Sequence, residues 1–336
     1  MPSSRHRSIT STTLIAALTI AALTTATACA RSAGPDAQAG DGTTIEITHT
    51  FGTSTVPSDP QRIAVTGPPD ADIVLALGMT PVAVAPWRLE WSSGVGPWAE
   101  PLLDGARPAV VNPLPIDLEE IAATDPDVII ASASRLDESE YHSLDRIAPT
   151  VAAPVGHDAW QVPWDVEARH VGHALGRSAD AENLITTTER RFDEEYSSHP
   201  RWRDRTAVAL TYFGGQFGIF SSSDNRGQFL QHMGFAMPTE LEHLAGEEFF
   251  MPISEENLQI LDAADLVVVL AGDSAAQSAF DQSPTFHNLA AVRERRAPTV
   301  TDMDTVTAMS ACTPLSIPYA LERLVSLIES SFPASN

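Results

Sequence analysis

Residues 178–198 read SADAENLITTTERRFDEEYSS, a run with neither proline nor glycine. Leu184, Thr188, Phe192 and Tyr196 recur at about one helical turn, and the residues between them are mostly charged or small. The spacing predicts one long helix over 178–198. Its polarity suits a rod that joins two lobes better than a helix sunk in one core, which would carry a wider apolar face.

Working outward, strand and helix signals alternate on both sides of this rod. Before it come an edge strand at 44–50, a short strand at 62–66, the turn GPPD (67–70) and a helix at 71–77 closed by Gly78. A strand at 81–85 follows. A helix at 117–123 then opens on Asp117 with Glu120 three residues on, its apolar Leu118, Ile121 and Ala122 on one face, and leads to the apolar strand DVIIA (127–131). After Pro200 come a strand at 206–212, helices at 228–232 and 255–261, a strand at 266–270 and an amphipathic helix over 318–329. The two halves echo each other: DLEEIAATDPDVII (117–130) and EENLQILDAADLVVV (255–269) are both acidic helices leading through an aspartate into a buried strand. The expected fold class is therefore α/β, with two Rossmann-like lobes of mainly parallel sheet, one long α-helix between them and a ligand cleft between the lobes. The expected division is 43–177 for the N-terminal lobe, 178–200 for the connecting helix and 201–336 for the C-terminal lobe. A chain of 336 residues accommodates two such lobes.

The first residues carry a different signal. Arg5 and Arg7 precede an apolar run, 14–23, too short to span a bilayer, and Ala26, Thr27 and Ala28 then lead to Cys29. Small-small-Cys after an apolar run resembles a bacterial lipobox, so 1–28 reads as a signal peptide, Cys29 as the lipidated N-terminus and 29–42 as a flexible tether. Ordinary secretory cleavage near Ala28 or Ala30 is the alternative. The expected location is the outer face of the cytoplasmic membrane. Lipidation of Cys29 would leave Cys312 as the one remaining cysteine, so no intramolecular disulfide would form.

Composition narrows the function. The net charge is -24, and all 20 basic residues are arginine, which argues against nucleic acid and anionic lipid headgroups as partners. No GxSxG, GxxxxGK[ST], HExxH or CxxC occurs, and no spacing picks out a catalytic carboxylate pair, so no enzyme is expected.

Four segments resemble the class III solute-binding proteins, the ferric siderophore/vitamin B12 family of ABC importers. They are PQRIAVTGPPDADIVLALGMTPVAVAPW (60–87), PIDLEEIAATDPDVIIAS (115–132), ALGRSADAENLI (174–185) and TPLSIPYALERLVSLI (313–328), in the family's order. The resemblance implies a monomeric binding protein that captures a ferric siderophore and delivers it to an ABC permease with its cytoplasmic ATPase. It implies no cofactor of its own, and modest rather than wide closure on the ligand. It further implies that Glu119 and Glu256, one on each lobe, meet arginines of the permease. From the residues themselves, Trp87, Trp91, Trp160, Phe213, Phe217 and Phe220 are candidates for the body of a bulky chelate, and Arg88 and Arg135 for its oxygens. Cobalamin, haem (Tyr212 or His157 as donor) or a metal ion (His170 with His173, or the acidic segment around His243) are alternative cargoes, and a surface lipoprotein without a transport role is another reading.

Overall fold

The computed structural model describes residues 43–246 and 248–332. The proposed signal peptide, tether and lipidated Cys29 lie outside the described residues. Strands β1 (Thr44–His49) and β2 (Gly52–Pro57) form an antiparallel hairpin, where the sequence suggested one edge strand. Five strands then make the first sheet: β3 (Ile63–Val65), β4 (Ala83–Val84), β5 (Ala109–Val110), β6 (Val128–Ala131) and β7 (Thr150–Ala152). All pair in parallel, in the order β5-β4-β3-β6-β7. The second sheet holds β8 (Ala207–Phe213), β9 (Gln216–Phe220), β10 (Phe250–Ile253), β11 (Leu266–Leu270) and β12 (Thr299–Val300), in the order β10-β9-β8-β11-β12. Here β8, β11 and β12 run parallel, and β9 and β10 are added antiparallel.

The helices of the first half are α1 (Asp70–Ala76), α2 (Leu118–Ala123), α3 (Glu138–Asp145) and α4 (Trp164–Ala174). α5 (Ser178–Ser198) covers the segment read as a rod. The second half contributes α6 (Asn225–His232), α7 (Thr239–Ala245), α8 (Ser274–Gln282), α9 (Pro284–Asn288), α10 (Ala290–Arg293), α11 (Met303–Ala311) and α12 (Ser316–Glu329). Glu255–Ala263 winds as a 3₁₀ helix rather than the α-helix its periodicity suggests. On α2 only Ile121 is buried; Leu118 and Ala122, expected beside it, face solvent. Asp117 caps α2 through the Glu119 and Glu120 N–H groups, while the reciprocal capping box forms on α3, between Asp137 and Glu140.

The apolar runs of the central strands are explained by two buried faces. Val128 and Ile130 of β6 enter one cluster and Ile129 enters another; Val268 of β11 enters the first and Val267 and Val269 a third. The shared cluster takes residues from both sheets and from α1, α4, α5, α11 and α12, so one continuous core runs through both lobes. Apolar strands covered on both faces are what parallel sheets require.

α5 packs against α4 on one side and α6 and α12 on the other. Its buried face is Ala181, Ile185, Thr188 and Phe192. Thr188 and Phe192 of the expected series are buried, whereas Leu184 is half-buried beside the buried Ile185, and Tyr196 lies exposed beneath Arg203, 5.0 Å from its guanidinium. The Phe192 ring stacks on His232 at 4.9 Å and meets Phe229 edge-on at 5.3 Å, while Trp164 Nε1 donates to His232 Nε2 at 3.3 Å. His232 of α6 thereby meets both the rod, through Phe192, and α4, through Trp164.

Candidate functional site

In doubly wound sheets, ligands sit beyond the carboxyl ends of the strands, where the strand order reverses. In the first sheet that point lies between β3 and β6, and in the second between β8 and β11. The loops leaving these ends meet across the two halves. Arg88, in the loop after β4, donates from Nη1 to Asp304 Oδ1 in the first turn of α11 at 3.1 Å, and lies 3.6 Å from Glu90. Trp91 Nε1 donates to the same Asp304 oxygen at 3.2 Å. Trp91 packs edge-on against Trp98 at 5.4 Å, and Trp98 leans on Tyr319 of α12 at 5.3 Å.

A second contact bridges the halves through the loop after β7. Trp160 meets the edge of Phe249, which precedes β10, at 6.4 Å, and Gln161 Nε2 donates to Ser223 Oγ at 3.5 Å. The Arg135 guanidinium, from the loop after β6, lies 4.7 Å over the Trp160 ring. Trp87 is 38% exposed, Trp160 44% and Phe213 74%, so three of the aromatic candidates offer open surface at these loops.

Two aromatic candidates do not. Phe217 is buried against Tyr212 and Phe280, and Phe220 against Phe250 with the Arg226 guanidinium 3.6 Å over its ring. Both are packing residues, because β9 is an inner strand of the sheet and both its faces are covered. Gly214 and Gly215, with φ of 61° and 86°, form the two-residue turn between β8 and β9 that only positive φ allows, and Phe213 stands at its base. The Gly-Gly pair between apolar runs is the signal that would have disclosed β9. Glu119 and Glu256 are both exposed in the first turns of their helices, which lead into β6 and β11, the equivalent inner strands of the two sheets. The echo extends further: Asp127 accepts the Gln61 and Arg62 N–H groups ahead of β3, as Asp265 accepts that of Thr206 ahead of β8.

His170 is turned inward, its Nε2 2.9 Å from the Ala152 carbonyl, and burial holds its pKa below the ordinary value. Among the described residues no three of His, Cys, Asp and Glu converge in a way that could hold a metal ion.

Over residues 63–302 the chain matches the periplasmic binding protein family. The chain belongs to that family. A solved periplasmic solute binding protein from Mycobacterium smegmatis is 31% identical, covers 86% of this chain and 99% of its own, and superposes with a TM-score of 0.77. PiaA of Streptococcus pneumoniae, solved in complex with ferrichrome, is 27% identical, with 85% and 98% covered and a TM-score of 0.75. The Bacillus subtilis protein named "Probable siderophore-binding lipoprotein YfiY" is 27% identical over 277 residues, 78% of this chain and 82% of its own length.

Beneath the cleft this periplasmic binding protein buries three carboxyls that its sequence does not distinguish from surface acids. Asp70 Oδ2 accepts the Ala133 N–H at 3.1 Å, pinning α1 to the loop after β6. A Cβ on Gly67 would stand 2.2 Å from that oxygen, which is why glycine opens the turn. Asp72 Oδ2 accepts from Trp98 Nε1 and, across the two halves, from the Thr313 hydroxyl, both at 2.6 Å. Burial pushes Asp70 up to about 7 and Asp72 to about 6, against the pull of these donors. Glu167 lies well above its ordinary value, through burial first and then the neighbouring Asp70. The folded chain therefore binds more protons than the unfolded one between these values and the ordinary carboxyl pKa of about 4. The stability Asp70 and Asp72 give is full below about pH 4 and is lost as the pH rises through 6 to 7. Glu167→Gln places a permanent N–H donor beside Asp70. Its melting temperature is expected to exceed the parent's by several degrees at about pH 8, with the difference closing toward about pH 4.5. A pH-independent difference in thermal melts would contradict this account.

Proposed function

We propose that the chain is an extracytoplasmic binding protein, held to the membrane through lipid on Cys29, that captures a ferric siderophore between its lobes and delivers it to an ABC permease. The observation that carries the reading is the set of open aromatic faces, Trp87, Trp160 and Phe213, at the carboxyl ends of both sheets, where two cross-lobe contacts flank them. A metal chelate with an organic backbone needs broad apolar contact and few polar fixings, and such faces supply it. The ferrichrome bound by PiaA is a cargo of this kind. The lobes of this reading are 43–177 and 201–336, with 178–200 between them. The core they share favours a small closing motion over a wide one. No chemical step is assigned to the site: binding and release are the whole of its activity. Glu119 and Glu256 serve as the two docking carboxylates for the permease, and the protein acts as a monomer.

Ferric hydroxamates, catecholates and citrate, titrated into the purified protein, are expected to quench the fluorescence of its six tryptophans saturably at one chelate per chain. Quenching by haem or cobalamin with silence from every iron chelate would reassign the cargo. Silence throughout would remove the binding role.

A further inference from the structure

The charges at the cleft narrow the cargo further, on the siderophore reading just given. A ferric chelate has a formal charge set by its donors. Three hydroxamates leave iron(III) neutral, and a pendant ammonium makes the complex cationic; carboxylate and catecholate donors leave it anionic, to three negative charges for a tris-catecholate. An anionic cargo taken out of water needs cationic side chains that are free to pair with it, since an unpaired buried charge is costly.

Of Arg88, Arg135 and Arg226, two are already paired. Arg88 is held by Asp304 at 3.1 Å and faces Glu90 at 3.6 Å. Arg226 is fixed by both carboxylate oxygens of Asp224, each at 2.7 Å, beneath the Phe220 ring. Of these three arginines only Arg135 has no ion pair among the described residues, and it lies on the Trp160 face. The same loops bring Glu90, Asp158 and Asp304, while Asp273 and Asp302 cap α8 and α11. To pair with an anionic chelate, Arg88 would have to leave Asp304, stranding a carboxylate that also holds the Trp91 N–H. A neutral chelate asks for no such exchange, and a cationic one gains from the carboxylates left over.

We infer that the cargo is a neutral or cationic ferric trihydroxamate, and that the Arg88–Asp304 pair discriminates against anionic ferric carboxylates and catecholates. The test compares four probes on the purified protein: ferrichrome (neutral), ferrioxamine B (cationic), ferric dicitrate and a ferric tris-catecholate. The hydroxamates are expected to bind at least 100-fold more tightly than either anionic chelate. Asp304→Asn, which releases Arg88, is expected to narrow that ratio at least ten-fold. Tighter binding of either anionic chelate than of both hydroxamates overturns the inference and leaves the siderophore reading standing, and so does a ratio unmoved by Asp304→Asn. Absence of binding by all four overturns both.

Discussion

Uptake of the ferric chelate is expected to fall more than ten-fold when Glu119 and Glu256 are both changed to arginine, with affinity for the chelate unchanged within about two-fold. Close charge pairs across protein interfaces are coupled by about 1.5–7 kcal/mol, so reversing a sign at each of two contacts replaces attraction with repulsion twice. Neither carboxylate has an ion-pair partner or a side-chain acceptor role inside the fold among the described residues, which separates them from their neighbours. Glu255, one residue before Glu256, accepts the Ser283 hydroxyl at 2.6 Å and so braces α9. Beside Glu119, Leu114 is 69% exposed, and Leu118 is open as well, giving this end of the first lobe an apolar margin. The structural cost of reversal is small: each side chain gives up a favourable place at a helix N-terminus, about 0.3–1 kcal/mol. Glu120→Arg, on the same helix, is the matched control and should transport normally. Uptake measured in cells whose own gene is replaced by the double variant reads the outcome, and undiminished uptake removes the docking assignment.

Phe192→Ala is expected to cost about 3–5 kcal/mol and lower the melting temperature by roughly 10 °C. Phe192 is 2% exposed and packs on Phe229 and His232 of α6, the latter also bonded to Trp164 of α4. Truncation leaves a cavity bounded by Phe229, His232 and their neighbours, and rigid helices on both sides have little freedom to collapse into it. The loss falls on the junction between the lobes, so chelate affinity should decline with stability. Leu184→Ala, at the half-buried position one residue before the buried face, is the comparison and should cost much less. Equal melting temperatures for the two variants would place the buried face of α5 elsewhere.

The rod was legible because its signal is long: twenty-one residues of one periodicity leave little room for another reading. Its buried face was legible at Thr188 and Phe192 but not at its start, since Leu184 and Ile185 are equally apolar and only the packing of α4 and α12 selects Ile185. Inner strands β6 and β11 were visible as apolar runs and β4 as the short run at 81–85, whereas β5 and β12 are two residues long and show no period at all. At the cleft, the sequence picked out Arg88 and Trp91, but the acceptor they share, Asp304, lies 216 and 213 residues away. The buried carboxyls were invisible for the same reason: Asp70, Asp72 and Glu167 look like ordinary first-turn acids until the tertiary fold closes over them.

The proposed cargo sits in the cleft between the carboxyl ends of the two sheets. Anomalous diffraction at the iron absorption edge, from crystals grown with a ferric trihydroxamate, locates the metal directly. One iron peak between the loops that carry Trp87, Trp160 and Phe213 is the predicted result. A peak on any other face, or a cleft closed by packed side chains while the chelate binds elsewhere, would contradict the account.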